Sequence, residues 1–387
     1  MDNYDIKNVA DKISEAISKE YNELEKLNVM VLGKTGVGKS TLINNTFNEK
    51  MTETGIGKPI TKKMRKIEKK DFPLAIYDTP GLELGGENSM RELISEITLE
   101  INKGLKSADI KEMIHCIWYC VATPSHRFEQ AEIDFLRNFL GETSKYNVPV
   151  ILVLTQSYSN NDARELKLQI EKENLPLVNI IPVLAEEYKI DNDFIIKSYG
   201  LNSLAELMYE VIPEEVKRTF ITVQKANLEL KKQKARAAVK KASTAAAAIG
   251  AVPIPFSDAT VLVPEQIAML ARITTIFGIS LEKATIVAIL SSTIGTSATT
   301  VLGRSVVSNI LKFIPGAGSI AGGAISAATA ATMTASLGEA YIVIMTMLVS
   351  GDINIEDLKS FEGKELIKNI FKKKLKNRKD EDGEEIE

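Results

Sequence analysis

The 387-residue chain carries 44% apolar residues and a formal net charge of −3, enough length for two or three domains and enough apolar content for their cores. The charge balance argues against a generic nucleic-acid binder, and no nucleic-acid partner is expected. Its two cysteines, Cys116 and Cys120, lie in one apolar run and read as small core residues of a reducing cytosol, not as a disulfide frame.

Residues 1–27 open the chain. Ile6, Val9, Ile13, Ala16, Ile17, Tyr21 and Leu24 recur at helical spacing among charges, which predicts an amphipathic helix packed on the protein. Met1-Asp-Asn-Tyr-Asp lacks the basic start and apolar core of a signal peptide, so a cytoplasmic location is expected.

Residues 28–212 alternate short apolar runs with helical patterns. The strands are read at Val29–Leu32, Leu74–Tyr77, Met113–Val121, Val148–Leu154 and Ile180–Leu184, with an edge strand near Met64–Lys69. Helices are expected near 39–47, 88–105, 128–140, 162–173 and 201–210. That alternation predicts an α/β domain with a mostly parallel six-stranded sheet covered on both faces.

The first strand runs into Gly33-Lys34-Thr35-Gly36-Val37-Gly38-Lys39-Ser40-Thr41, the G-x-x-x-x-G-K-[ST] spacing of a phosphate loop in its strand–loop–helix setting. Gly33, Gly36 and Gly38 let backbone N–H groups converge on a polyphosphate without a Cβ clash. The helix start adds free N–H groups and a positive dipole end. Lys39 supplies charge for the β- and γ-phosphates, and the Ser40 hydroxyl suits Mg²⁺. Further along, Asp78-Thr-Pro-Gly81 follows a strand end. Asp78 there suits Mg²⁺ through water, and the Gly81 N–H suits a γ-phosphate. Thr61 is the metal-binding threonine expected between them, with Thr52 and Thr54 as competitors.

These elements resemble the first three of the Era-like, Ras-type GTPases of the TRAFAC class, over about residues 27–210. Thr155-Gln156 stands where that family has its [NT]-K-x-D element, and Ala185 where it has S-A-K. The resemblance implies a Ras-like P-loop NTPase fold, GTP/GDP with Mg²⁺ as ligands, and hydrolysis of GTP. Lys39, Thr61 and Gly81 are the implied catalytic group, and Ser40, Thr61 and Asp78 the implied metal ligands. The loop residues from Gly33 to Thr41, with Asp78, Gly81, Thr155, Gln156 and Ala185, are the implied nucleotide contacts.

Three departures qualify this. Tyr158 occupies the place of the family's guanine-reading Asp, with Asp162 the nearby carboxylate. Leu82 follows Gly81 where Ras-type enzymes place a water-orienting Gln, which implies slow hydrolysis. Gly36 stands where potassium-activated relatives carry Asn. Arg127 is a candidate phosphate-facing arginine, weighed against a surface role.

Residues 213–241 are rich in Lys and Arg and read as a basic helical linker. Residues 242–360 turn to Ala, Gly, Ser and Thr, and resemble an uncharacterised bacterial helical domain that follows some Era-like GTPase domains, so an all-α C-terminal domain is expected. The uncharged pieces Ala284–Gly303 and Phe313–Gly338 have the length of a span of about 20 residues but little Leu, Ile or Phe. Gly318-Ser-Ile-Ala-Gly322 suits close helix contacts. A membrane span, a soluble bundle and nucleotide-conditioned insertion all remain open. Residues 361–387 combine a basic helix, which would suit the anionic inner face of a membrane, with an acidic tail.

The expectation is a Mg²⁺-dependent GTPase whose nucleotide state controls a helical, membrane-associating domain. Its rivals are a dynamin-like or immunity-related assembly protein with nucleotide-dependent self-association, a P-loop NTPase of relaxed base specificity, and a ribosome-assembly factor.

Overall fold

The computed structural model describes residues 6–51, 56–59, 64–79, 86–125, 128–190, 194–250, 258–294 and 327–381. Contacts divide the chain into two compact units, Leu24–Asn227 and Met1–Glu23 with Leu228–Glu387.

The first unit is built on β1 (Leu27–Leu32), β2 (Ile56–Pro59), β3 (Arg65–Glu68), β4 (Leu74–Asp78), β5 (Cys116–Ala122), β6 (Val150–Thr155) and β7 (Asn179–Pro182). Their order is β2-β3-β4-β1-β5-β6-β7. Strands β4, β1, β5, β6 and β7 run parallel, while β3 pairs antiparallel with both β2 and β4. The six expected strands are present, and the short β2 adds a seventh beyond the edge. Its residues Ile56-Gly-Lys-Pro59 carry no apolar alternation, so only pairing with β3 makes them a strand.

Helices α2 (Lys39–Thr46), α3 (Gly86–Ser107), α4 (Gln130–Thr143), α5 (Asn160–Glu171), α6 (Leu201–Val211) and α7 (Glu214–Val223) cover this sheet. The pleat sorts its central strands between two cores. Val29, Val31, Cys116, Trp118 and Cys120 face α2, α6 and α7, and Trp118 stacks on Phe47 with centroids 5.7 Å apart. Met30, Leu32, Ile117, Tyr119 and Val121 face α3, α4 and α5. Both cysteines are free and fully buried.

At the foot of the sheet, Asn28 and His115 exchange bonds. The Asn28 N–H donates to His115 Nδ1 (2.9 Å), and the His115 N–H donates to the Asn28 carbonyl (3.0 Å). His115 Nε2 faces the Ile110 carbonyl at 3.0 Å. An accepting Nδ1 and a donating Nε2–H define the neutral tautomer, and burial pushes this imidazole down to about 4.

The basic stretch 213–241 is not one linker. Its first part, α7, buries Val216, Phe220 and Val223 in the core beside α2 and α6. The chain on either side of its end is fastened by Asn48 N–H to the Val223 carbonyl (2.7 Å) and Lys225 N–H to the Thr46 carbonyl (2.8 Å). The side chain of Gln224 then closes a turn on Asn227, and the next helix starts at Leu228.

The second unit gathers α8 (Leu228–Gly250), α9 (Asp258–Phe277), α10 (Lys283–Ile294), α11 (Ala327–Ser350) and α12 (Phe361–Glu381) with α1 (Ile6–Asn22) from the other end of the chain. Helix α1 buries Val9, Ala10 and Ile13 there and packs on α9 and α10. Glu20 pairs with Arg272 at 2.7 Å, and Asp11 with Lys283. The amphipathic stripe of residues 1–27 therefore serves the helical unit. Helix α11 crosses α8 closely at Gly338, where a Cβ would fall 2.4 Å from a Val239 methyl. Two buried polar side chains find partners between helices: Thr274 with Tyr341 at 2.7 Å, and the Lys231 ammonium with the Ile276 carbonyl at 2.8 Å. Helix α11 is long and apolar enough to cross a membrane, with mean hydropathy 1.5 over its most apolar window, and 56% of that window is buried in the structure. The motif Gly318–Gly322 lies outside the described residues.

Candidate functional site

The site forms at the carboxyl ends of the parallel strands, where open α/β sheets bind ligands. Strand β1 ends at Leu32 and the chain turns at once. Gly33 has φ 143°, and a Cβ there would meet the Cys120 carbonyl at 2.5 Å, so β5 leaves room for glycine alone. Gly36 and Gly38 also have positive φ, and Gly38 precedes the first residue of α2. These three left-handed residues curl the loop as its spacing predicts. Thr35, Gly36 and Ser40 are exposed, and Lys39 is nine-tenths buried.

The Lys39 ammonium donates to the carbonyls of Gly33 (2.8 Å) and Lys34 (3.0 Å), inside the loop it would serve. Burial lowers its pKa, and the carboxyl of Asp78 works against that. Asp78 ends β4 in register with Val31. Burial raises its pKa against the pull of Lys39 and Arg65, and its buried Oδ1 has no hydrogen-bond partner among the described residues. A buried, unmatched carboxylate oxygen beside a phosphate loop fits a hydrated Mg²⁺, a hard cation that takes oxygen donors. Ser40, in the first turn of α2, supplies a second oxygen. Thr61 and Gly81, and the candidate Arg127, lie outside the described residues, as do Thr52 and Thr54.

The other predicted contacts converge on the same loop from β6. The Thr155 hydroxyl bonds the Val37 carbonyl, and the Gln156 amide donates to the Gly36 carbonyl at 2.9 Å. Gln156 holds φ 52°, the left-handed conformation. Ala185 follows β7, and Leu184 beside it exchanges two 3.0 Å backbone bonds with Tyr199. Beyond the loop a cleft opens between Gly38, Thr41, Leu42, Thr155, Gln156, Tyr158, Ala185, Glu186 and Tyr188. The rings of Tyr158 and Tyr188 are in contact, with centroids 4.2 Å apart and planes tilted by 42°. Asp162 does not line this cleft; it sits in the first turn of α5, where its N–H is capped by the Ser159 hydroxyl at 3.2 Å.

Two contributors escaped the sequence reading. Glu186 and Tyr188 lie just after β7, and Tyr188 opens a small hairpin of β8 (Tyr188–Lys189) and β9 (Ile195–Ile196). Glu186 directly follows Ala185, at the Lys position of the S-A-K element, and that adjacency was the available signal; Tyr188 belongs to no motif and is brought to the cleft by the fold. Lys34 is held away on α4, paired with Glu129 at 2.6 Å and Glu132 at 3.2 Å.

A phosphate loop on a doubly covered, mostly parallel sheet, with an Asp on the neighbouring strand end, defines a Ras-like P-loop NTPase domain. Comparison with known proteins places the chain more closely. The 50S ribosome-binding GTPase family matches residues 28–156, and a domain of unknown function (DUF697) matches residues 216–377. Neuronal-specific septin-3 of Danio rerio is 24% identical over 168 residues, 38% of this chain and 46% of the septin. GTPase Era of Pseudomonas fluorescens (strain Pf0-1) is 26% identical over 191 residues, 48% of this chain and 55% of Era. The chain thus spans about half the length of these relatives. A solved structure of a probable GTP-binding protein engB is 21% identical and covers 41% of this chain and 89% of its own, with a TM-score of 0.29. The chain thus joins a P-loop GTPase domain, matched by the 50S ribosome-binding GTPase family and similar to Era, to a helical region matched by DUF697.

Proposed function

We propose that the protein binds GTP with Mg²⁺ and hydrolyses it to GDP. The observation that carries this reading is the unmatched Asp78 carboxylate oxygen beside a glycine-curled loop that holds Lys39 and Ser40. The loop amides and Lys39 hold the β- and γ-phosphates, and Lys39 exchanges the Gly33 and Lys34 carbonyls for phosphate oxygens. Ser40 and Asp78 offer the metal its protein oxygens, with Thr61 the expected third. When bound, Mg²⁺ neutralises charge on the β- and γ-phosphates. No residue of this set suits covalent catalysis; positioning and charge stabilisation are what it offers. Leu82 has no proton-transfer or water-orienting group, which supports slow intrinsic turnover. Calorimetric titration with GDP, GTPγS and ADP in Mg²⁺ tests the reading on the wild type and Lys39→Ala. Guanine binding lost in the variant supports it, and ADP binding equal to GDP binding rejects it.

A cytoplasmic protein that meets the inner face of a membrane is the second part of the reading. It is supported by the apolar length of α11 and by the exposed Lys364, Lys372, Lys373 and Lys376 on α12. Nucleotide state would then govern the helical unit. Co-sedimentation with vesicles rich in phosphatidylglycerol, in GDP and in GTPγS, tests it. Equal failure to sediment in both states removes the membrane from the account.

A further inference from the structure

Guanine and adenine differ at the base edge that a carboxylate reads. Guanine presents N1–H and N2–H₂ side by side, both donors. Adenine presents an N1 lone pair beside its N6–H₂ donor. A carboxylate accepts both guanine donors and meets repulsion at adenine N1, so a site with one buried against the base discriminates strongly. Tyr158 takes the sequence position where such a carboxylate is expected. Its phenol offers one donor and cannot accept two parallel N–H groups in a carboxylate's geometry.

Among the described residues that line the cleft beyond the phosphate loop, one is a carboxylate, Glu186. We infer that Glu186 reads the guanine base in this protein, with Tyr158 and Tyr188 forming the aromatic wall beside it. Three relationships carry this. The tyrosines and Glu186 line the same cleft as Gly38 and Gln156, so the space continues from the phosphate loop. The Tyr158 and Tyr188 rings touch, with centroids 4.2 Å apart and planes tilted by 42°, and together they present apolar surface along one side of the cleft. The strand end that precedes Glu186 is tied to the loop after β6: the Ser157 N–H bonds the Val183 carbonyl at 3.2 Å, and the Val183 N–H bonds the Leu154 carbonyl at 2.7 Å. Glu186 is therefore delivered from a braced segment. The field of Glu186 reaches the Tyr158 hydroxyl: burial, Tyr188 and Glu186 together raise that phenol's pKa. Asp162, the other acidic candidate, lies outside the cleft lining. The reader has moved from the loop after β6 to the loop after β7.

The inference rests on the guanine-nucleotide reading above, and one titration set separates them. The full chain, Glu186→Gln, Glu186→Ala and Asp162→Asn are titrated with GDP, xanthosine diphosphate and ADP in Mg²⁺. Wild type should prefer GDP over ADP. Glu186→Ala should lose about 100-fold for GDP with ADP affinity unchanged. Glu186→Gln should lose GDP and gain xanthosine diphosphate, because xanthine places a carbonyl where guanine has its amino group. Asp162→Asn should match wild type. A GDP-to-ADP ratio unchanged in both Glu186 variants overturns the assignment and leaves the GTPase reading standing. A wild type without guanine preference overturns the guanine reading itself. Unchanged ADP affinity shows that the variants remain folded around the phosphate loop.

Discussion

The Gln156 side-chain amide donates to the Gly36 carbonyl at 2.9 Å, joining β6 to the phosphate loop across 120 residues of sequence. Together with the Thr155 hydroxyl on Val37, it holds the loop's outer turn against the loop that flanks the cleft. Gln156→Ala removes one neutral hydrogen bond of about 1 kcal/mol, so GDP affinity should fall about fivefold with the melting temperature near wild type. Calorimetry with GDP measures it, and an unchanged affinity would show that the loop keeps its shape without this tie.

Lys39 already sits on loop carbonyls, so its charge is positioned before any ligand arrives. Lys39→Ala should weaken triphosphate binding by about 100-fold or more, as expected for loss of a charge-assisted phosphate contact of about 3 kcal/mol. Near-wild-type circular dichroism alongside that loss would localise the effect to the site.

Asp78 should make nucleotide affinity depend on Mg²⁺ and on pH. A carboxyl must lose its proton to serve a metal, and burial raises the pKa of this one. The Mg²⁺ enhancement of GTPγS binding should therefore fade on acidification at higher pH than an exposed aspartate would cause. Asp78→Asn should abolish the enhancement at every pH. Titrations with and without Mg²⁺ across the acid range give the result.

His115 predicts an acid weakness in the nucleotide-binding unit. The unfolded imidazole binds its proton near 6.5, but the folded one only near 4. The unfolded state thus holds more protons between those values, and stability falls as pH drops through that window. It is fully present above 6.5. The total is about 3 kcal/mol, accumulated by pH 4. Urea midpoints from pH 7.5 to 5 should decline in wild type and decline less in His115→Gln, whose starting stability is lower.

Gly338 tests the helical unit. Alanine there places a methyl against Val239, whose β-branched side chain has little freedom to turn away inside a helix. Gly338→Ala should destabilise this unit by about 1–3 kcal/mol by overpacking, read as an earlier transition in thermal denaturation. A later transition would mean that the crossing relaxes and the glycine was not required by space.

Much of the nucleotide-binding unit was legible because its signals are local. Apolar runs such as Val29–Leu32 bury on both faces and become central parallel strands. The spacing from Gly33 to Ser40 dictates the backbone that curls there. Strand β2 was not legible, since pairing alone makes it a strand, and neither was the destination of α1. An amphipathic stripe states that a helix needs a partner without naming it, and the partner of α1 proves to be α9 and α10. The basic stretch misled for a related reason. Its charges dominate the composition, while the few apolar residues Val216, Phe220 and Val223 decide where α7 goes.

By itself, the sequence determined the class of the protein: a phosphate loop between strand and helix, an aspartate at a strand end, and a second half that is helical and apolar. These depend on neighbours within a few residues, whose conformations follow from sterics and hydrogen bonding along the chain. Only the tertiary structure decided which groups meet across long separations. It tied Gln156 to Gly36 and His115 to Asn28, left the buried Asp78 oxygen without a partner among the described residues, and put Glu186 in the cleft where Tyr158 replaces the expected carboxylate. Those relationships arise because the strand order of one sheet sets distant segments side by side, and for the buried His115 the energetic cost of burying a polar group selects its partner across 87 residues.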